Sequence, residues 1–139
     1  MLTKIHAKAK LIENFRIDVD DRRTHAVPLD LSAPDGTDMG PSALELCLMS
    51  FAGCYATIFV LTAQKMRFAL KKLEVKVEAV KSEQVGTITE ASVDILVEAD
   101  IARDRIERAH ELTLKGCPVG ILFERAGVKI KYNIHTGKE

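Results

Sequence analysis

The chain has no tryptophan, and aromatic residues make up only 5% of its 139 positions. Platforms on which nucleobases could stack are therefore poorly supplied. It also has no net charge, because 20 Lys and Arg balance 20 Asp and Glu. A general binder of nucleic acid or of an anionic membrane surface needs a basic excess, so neither is expected as a partner. Cysteine is scarce: Cys47, Cys54 and Cys117 are the whole supply. No continuous apolar run stands behind Met1-Leu2-Thr3-Lys4-Ile5-His6, so no export signal is expected and a reducing cytoplasm is the expected compartment. There a static disulfide framework is not expected, and cysteines are redox-active, metal-binding or simply packed. His6, His110 and His135 show no metal-ligand spacing with the cysteines, and the glycines form no phosphate-binding pattern. No cofactor and no metal is expected.

What is present suits one small domain covering residues 1–139, since the chain is 47% hydrophobic and 29% charged. Apolar and polar residues alternate with period two in Ile5–Leu11 and Phe15–Asp20, which predicts two strands with a turn at Glu13-Asn14. Thr24–Leu29 reads as a third short strand, with Pro28 placing its end at an edge. Ser32–Gly40 is dense in turn formers and predicts a loop. Pro41 and Ser42 then open a helix, apolar almost throughout from Ala43 to Ala63, which predicts burial on nearly all sides. Its length approaches the ~20 apolar residues of a membrane span. Glu45, Gly53 and the amphipathic strands that follow speak against a span and for a central helix wrapped by sheet and by a partner subunit.

Period two returns in Leu73–Lys81 and Ser92–Ala99, a hairpin with its loop at Glu83–Gly86. Asp100–Leu114 is an amphipathic helix broken at Gly116-Cys117-Pro118. A short helix over Pro118–Arg125 ends at Gly127, and Val128–Ile134 is a last strand. Alternating strands separated by helices predict an α+β class with helices on one face of mostly antiparallel sheet.

Two cysteines stand out locally. Cys117 precedes Pro118, so the free N–H groups and dipole of the next helix would face its sulfur and favour a thiolate. A small apolar residue at a helix start fits the same position. Cys54 lies mid-helix in Phe51-Ala52-Gly53-Cys54-Tyr55, where no helix terminus can help it. There a packed core residue is the ordinary reading, and reactivity needs a cation or donors supplied by the fold. Cys47 reads as core. Glu45, nine residues before Cys54, is a carboxylate at the start of an apolar helix and needs a partner or water. Either it caps its own helix or it orients an arginine beside a thiolate.

Gly40-Pro41-Ser42-Ala43-Leu44-Glu45-Leu46-Cys47-Leu48-Met49-Ser50-Phe51-Ala52-Gly53-Cys54 resembles the helix signature of the OsmC/Ohr family, the osmotically inducible and organic hydroperoxide resistance proteins. His25-Ala26-Val27-Pro28-Leu29-Asp30 resembles the segment leading into that helix, and Gly116-Cys117-Pro118-Val119 the second cysteine motif, 63 positions after the first. The resemblance implies an OsmC-like fold, an intertwined homodimer with antiparallel sheets wrapped around long central helices. It implies reduction of organic hydroperoxides with a thiol or dithiol reductant, a lipoyl group among the candidates. Cys54 would then be the peroxidatic cysteine and Cys117 the resolving one. The family pairs an arginine with a glutamate near the first cysteine; Glu45 resembles the glutamate. Arg16, Arg22 and Arg23 are candidates for the arginine, and Arg23, near the strand leading to the site, is favoured. An exposed turn charge is the plain alternative for all three. His25 is a further polar candidate at the site's edge, or an ordinary strand histidine. Two rival readings remain: a non-catalytic dimer of this fold binding a small apolar ligand or partner, and a Cys–His hydrolase, which lacks a recognisable histidine.

Overall fold

The alternating segments form strands with shifted ends: the first begins at Lys8 rather than Ile5 and runs on through Glu13, and the second begins at Arg16. The computed structural model describes residues 1–137, which form two compact units, residues 1–47 and residues 48–137. The first holds an antiparallel meander, β1 (Lys8–Glu13), β2 (Arg16–Asp20) and β3 (Ala26–Leu29). Asn14, in the predicted turn, takes φ +50°, a conformation Asn tolerates better than most residues. β1 is exposed along its whole length, and β2 is half-buried.

After β3 the loop is organised by one carboxylate. Asp30 is 3% exposed and accepts hydrogen bonds from Leu31 N at 2.7 Å, Thr37 Oγ1 at 2.8 Å and Met39 N at 3.1 Å. Burial works against its charge, but the bonds from Met39, Thr37 and Leu31 outweigh it and hold the carboxyl below its usual range. A Cβ at Gly36 would fall 2.2 Å from Leu31 O, so only glycine permits this turn.

Helix α1 (Ala43–Lys65) begins with a reciprocal capping box. Ser42 N donates to Glu45 Oε1 at 2.9 Å, and Glu45 N donates to Ser42 Oγ at 3.1 Å. The helix is long and apolar enough to cross a membrane by length and composition, yet only 28% of its most apolar window is buried in the chain. The expected burial on nearly all sides is not met within one chain. Burial follows one stripe at helical spacing, Phe51, Tyr55, Phe59 and the Thr62-Ala63 pair, while Met49, Val60 and Leu61 stay exposed.

The second unit carries β4 (Lys72–Ser82), β5 (Thr87–Glu98), α2 (Arg103–Gly116), α3 (Pro118–Arg125) and β6 (Lys129–Thr136). β4 and β5 form the expected hairpin, but β5 starts five residues before the predicted Ser92. A bulge at Val80/Lys81 lets Ile88 and Ala91 both turn inward, which breaks the sequence period there. β6 lies parallel to β5 in an otherwise antiparallel set, because the α2–α3 crossover returns the chain in the same direction. Ala91, Val93, Ile95 and Val97 are buried on one face of β5, and Ile106, Ala109 and Thr113 of α2 are buried as well. Each such side chain contributes up to ~1.5–3 kcal/mol when large and fully buried. The polar face of β5 carries Asp94, bonded to Asn133 Nδ2 at 3.1 Å.

Candidate functional site

The break between α2 and α3 fixes Cys117. Its backbone is extended (φ −91°, ψ 101°), Pro118 takes the first position of α3, and Cys117 is the N-cap. Its Sγ accepts the Gly120 N–H at 3.4 Å. Gly120 also leaves room for the sulfur: a Cβ there would sit 3.4 Å from both Cys117 Sγ and Phe51 Cε1. Phe51 packs on Phe123 of α3 with ring centroids 4.8 Å apart.

Cys54 is three residues after Phe51 and four before Ile58, so it lies near the same edge of α1. Ile58 Cγ2 reaches to 3.4 Å from where a Cβ on Gly116 would be. The α2–α3 corner thus rests on this edge of α1, and Cys54 stands near enough to Cys117 to act on its ionisation. Both are free thiols, Cys54 partly exposed and Cys117 1% exposed. Cys47 is exposed rather than the core residue expected. Seven residues from Cys54, it falls on the part of α1 that one chain leaves uncovered.

The expected thiolate at Cys117 is corrected by its surroundings. Burial pushes its pKa up to about 11. The Gly120 N–H pulls it down, as helix-terminus reasoning foresaw, but neighbouring Cys54 pushes it up again. Desolvation outweighs the helix terminus, so at neutral pH this is a protonated thiol.

The remaining predicted residues belong to the first unit. Glu45 caps its own helix, one of the two readings its position allowed. The Ser42 backbone and hydroxyl bonds hold its carboxyl below the usual range. Arg23 has a side chain 74% exposed and pairs with Asp21 at 3.3 Å. The same carboxylate takes His25 Nδ1 at 2.6 Å. Arg22 sits in the turn at φ +62°. Arg16 differs from both: its Nε is buried and has no hydrogen-bond partner.

Sequence reasoning passed over a buried polar cluster. Tyr55 is fully buried, and its hydroxyl meets His110 Nδ1 at 2.5 Å. Tyr132 of β6 lies against both rings. The Phe51–Tyr55–Phe59 spacing announced core, and nothing local tied His110 to it. Among the described residues no group of three His, Cys, Asp or Glu side chains is placed to hold a metal.

The family model for OsmC-like proteins matches residues 36–133. Among solved structures, an OsmC-like protein from Mycoplasma pneumoniae superposes with a TM-score of 0.89 at 19% identity, over 99% of this chain and 100% of that one. The organic hydroperoxide resistance protein OhrB of Bacillus subtilis gives 0.65 at 18% identity, over 97% and 100%. An organic hydroperoxide resistance protein OsmC from Legionella pneumophila gives 0.70 at 15%, over 96% and 98%. No curated protein matches the chain at a significant level.

Proposed function

Because the chain belongs to the OsmC-like protein family, we propose that it is a thiol-dependent peroxidase that reduces organic hydroperoxides in defence against oxidative stress. The observation that carries this reading is a partly exposed Cys54 that lies near enough to a buried Cys117 to act on its ionisation. Two free thiols so placed can bridge once their Cα atoms come within about 7 Å.

Their unequal burial supports Cys54 as the peroxidatic cysteine and Cys117 as the resolving one. Peroxide can reach Cys54 and cannot reach a sulfur that is 1% exposed. The Cys54 thiol gives up its proton, and its thiolate attacks the distal peroxide oxygen. The O–O bond breaks, and the departing alkoxide takes up a proton in place of the one shed and leaves as the alcohol. Cys54 is then a sulfenic acid. The Cys117 sulfur attacks it, water is lost and a disulfide forms. A thiol or dithiol reductant, a lipoyl group being one candidate, restores both thiols. A groove of about 280 Å³ beside the α2–α3 corner is bordered by Ile58, Leu61, Met66 and Leu112 and also by Thr62 and Lys65, and its apolar flank could take a substituent on the peroxide.

A thiolate at Cys54 needs a cation or donors. The family resemblance takes the cation from the N-terminal arginines, with Glu45 as its partner. Arg23 was favoured on position, but it is exposed and already paired with Asp21. The buried Nε of Arg16, which has no partner, supports Arg16 over Arg23 for this role. The exposed apolar residues of α1, Met49, Val60 and Leu61, support a homodimer that covers this helix.

The test is consumption of cumene hydroperoxide by the reduced protein with dithiothreitol or a lipoyl protein. Turnover is expected, and Cys54→Ser should abolish it. Full turnover by that variant, or none by the wild type with any reductant, refutes the reading.

A further inference from the structure

Of the three aromatic rings on the buried stripe of α1, Phe51, Tyr55 and Phe59, only Tyr55 carries a polar atom. Its hydroxyl is bonded to His110 Nδ1 of α2 at 2.5 Å. Tyr132 of β6 stacks on Tyr55 with centroids 6.2 Å apart and meets His110 edge-on at 5.2 Å. Burial holds Tyr55 far above the ordinary phenol range, so it keeps its proton. Burial also holds His110 below the usual imidazole range, so it is neutral near pH 7. The hydroxyl therefore donates and Nδ1 accepts. A phenylalanine at position 55 would fill the same space without the desolvation cost of a buried hydroxyl.

The place of the bond in the chain gives it a use. Tyr55 is the residue after Cys54, and Cys117 stands seven residues, about two helical turns, beyond His110. The bond thus joins the two segments that carry the cysteines. Two further contacts join the same segments. Phe51 packs on Phe123 with ring centroids 4.8 Å apart, and Ile58 Cγ2 lies 3.4 Å from where a Cβ on Gly116 would be. Both are apolar, and apolar attraction has no preferred direction. A hydrogen bond does, and it weakens steeply once its angle falls below about 120°. Of the three contacts it is the one whose strength depends on direction, and so the one that fixes the rotation of α1 about its own axis. The tolerance is small. A rotation of about 10° carries an atom at the helix surface, ~5–6 Å from the axis, through ~1 Å. The Cβ atoms of a disulfide must stand ~3.5–4.5 Å apart, a window no wider than that displacement.

We propose that Tyr55 and His110 are a positioning pair, whose hydrogen bond fixes the rotation of α1 and so sets how closely Cys54 approaches Cys117, an inference that rests on the thiol peroxidase reading. Neither residue needs to touch the peroxide or to exchange a proton with a cysteine. The pair works through the backbone, by holding the turn of α1 that carries Cys54 in the narrow range from which a disulfide closes. That raises the effective concentration of one thiol toward the other in the folded protein. A directional polar pair inside an otherwise apolar contact is suited to this, because it specifies one arrangement among several that would pack equally well.

The experiment equilibrates the full-length protein with reduced and oxidised glutathione and counts the Cys54–Cys117 disulfide by peptide mass after acid quench. Two protein thiols and one oxidised glutathione give the protein disulfide and two reduced glutathiones, and the equilibrium constant is an effective concentration. A side chain that only stabilises the core weakens oxidised and reduced protein alike and leaves this value unchanged. Tyr55→Phe and His110→Leu should each lower it about fivefold or more, the scale of one hydrogen bond. The double variant Tyr55→Phe/His110→Leu replaces both partners by apolar groups of similar shape, so it should fold with near wild-type stability and still show the loss. His110→Asn puts an amide oxygen where Nδ1 stood and should stay near the wild-type value. A wild-type value in the double variant overturns the proposal, and so does a loss in His110→Asn as large as that in His110→Leu. Failure of the double variant to fold overturns it as well, because the bond would then hold the core together rather than set its rotation. A wild type that forms no Cys54–Cys117 disulfide at any glutathione ratio removes the two-cysteine peroxidase reading and this inference together, whereas a wild-type disulfide with an unaltered double variant removes the inference alone.

Discussion

The Gly120 backbone N–H donates to Cys117 Sγ over 3.4 Å, so a thiol does the work of an N-cap. The bond draws the Cys117 pKa down, yet burial of the same sulfur raises it further than the bond lowers it. Whichever force is larger decides what the cysteine can do, and here desolvation is larger.

Cys117→Ser keeps an acceptor for Gly120 and replaces sulfur with a better N-cap oxygen. The variant should melt within a few degrees of the wild type, judged by the ~1 kcal/mol scale of a cap and its usual effect on melting. After peroxide it should accumulate Cys54 sulfenic acid, read as a dimedone adduct. Cys54→Ser should form no such adduct. An adduct on Cys117 in that variant would reverse the two roles.

Alkaline pH should loosen the fold. The folded Cys117 pKa of about 11 exceeds the ordinary thiol value of 9.0, so the unfolded chain loses this proton first. Stability contributed by the buried neutral thiol is complete below pH 9 and is lost as pH rises through 11. Tyr132, held up at about 12, acts in the same direction over a higher range. Denaturant midpoints in reducing buffer should therefore fall between pH 9 and 11, and Cys117→Ser should remove much of that slope.

At acid pH the capping box gives the opposite sign. The Glu45 carboxyl is held below its usual range by Ser42, so its contribution is present above the unfolded value and is lost as pH falls through the folded one. Ser42→Ala removes one of the two reciprocal bonds and should cost about 1 kcal/mol. Circular dichroism during urea unfolding at neutral pH measures it.

Phe59 is 0% exposed and sits on the buried stripe of α1. Phe59→Ala should cost ~3–5 kcal/mol by chemical denaturation. Val60→Ala, on the exposed side, should cost far less in a monomer. If it instead weakens a dimer in light scattering, the partner subunit covers that face.

For the arginines the expected order is the observable. Arg16→Met should lower the second-order rate with cumene hydroperoxide by more than Arg23→Met does, because only Arg16 has a buried nitrogen without a partner. Equal losses, or a larger loss for Arg23, would return the assignment to Arg23.

Local pattern alone determined the strands, the long apolar helix, the helix start at Pro118 and its end at Gly127. Those features depend on period, caps and backbone preference, which neighbours in sequence carry. It also marked Glu45 as a possible cap and Cys117 as a helix N-cap. Only the tertiary structure decided that Cys117 is a protonated thiol, because desolvation depends on Phe51, Gly120 and Cys54 closing around one sulfur. The earlier start of β5 and its parallel partner followed from a bulge and a crossover, neither of which alternation records. Tyr55 and His110 stand 55 positions apart and became partners only when α1 and α2 packed together. Burial is a property of what surrounds a residue, and for these groups nearly all of it comes from distant parts of the chain.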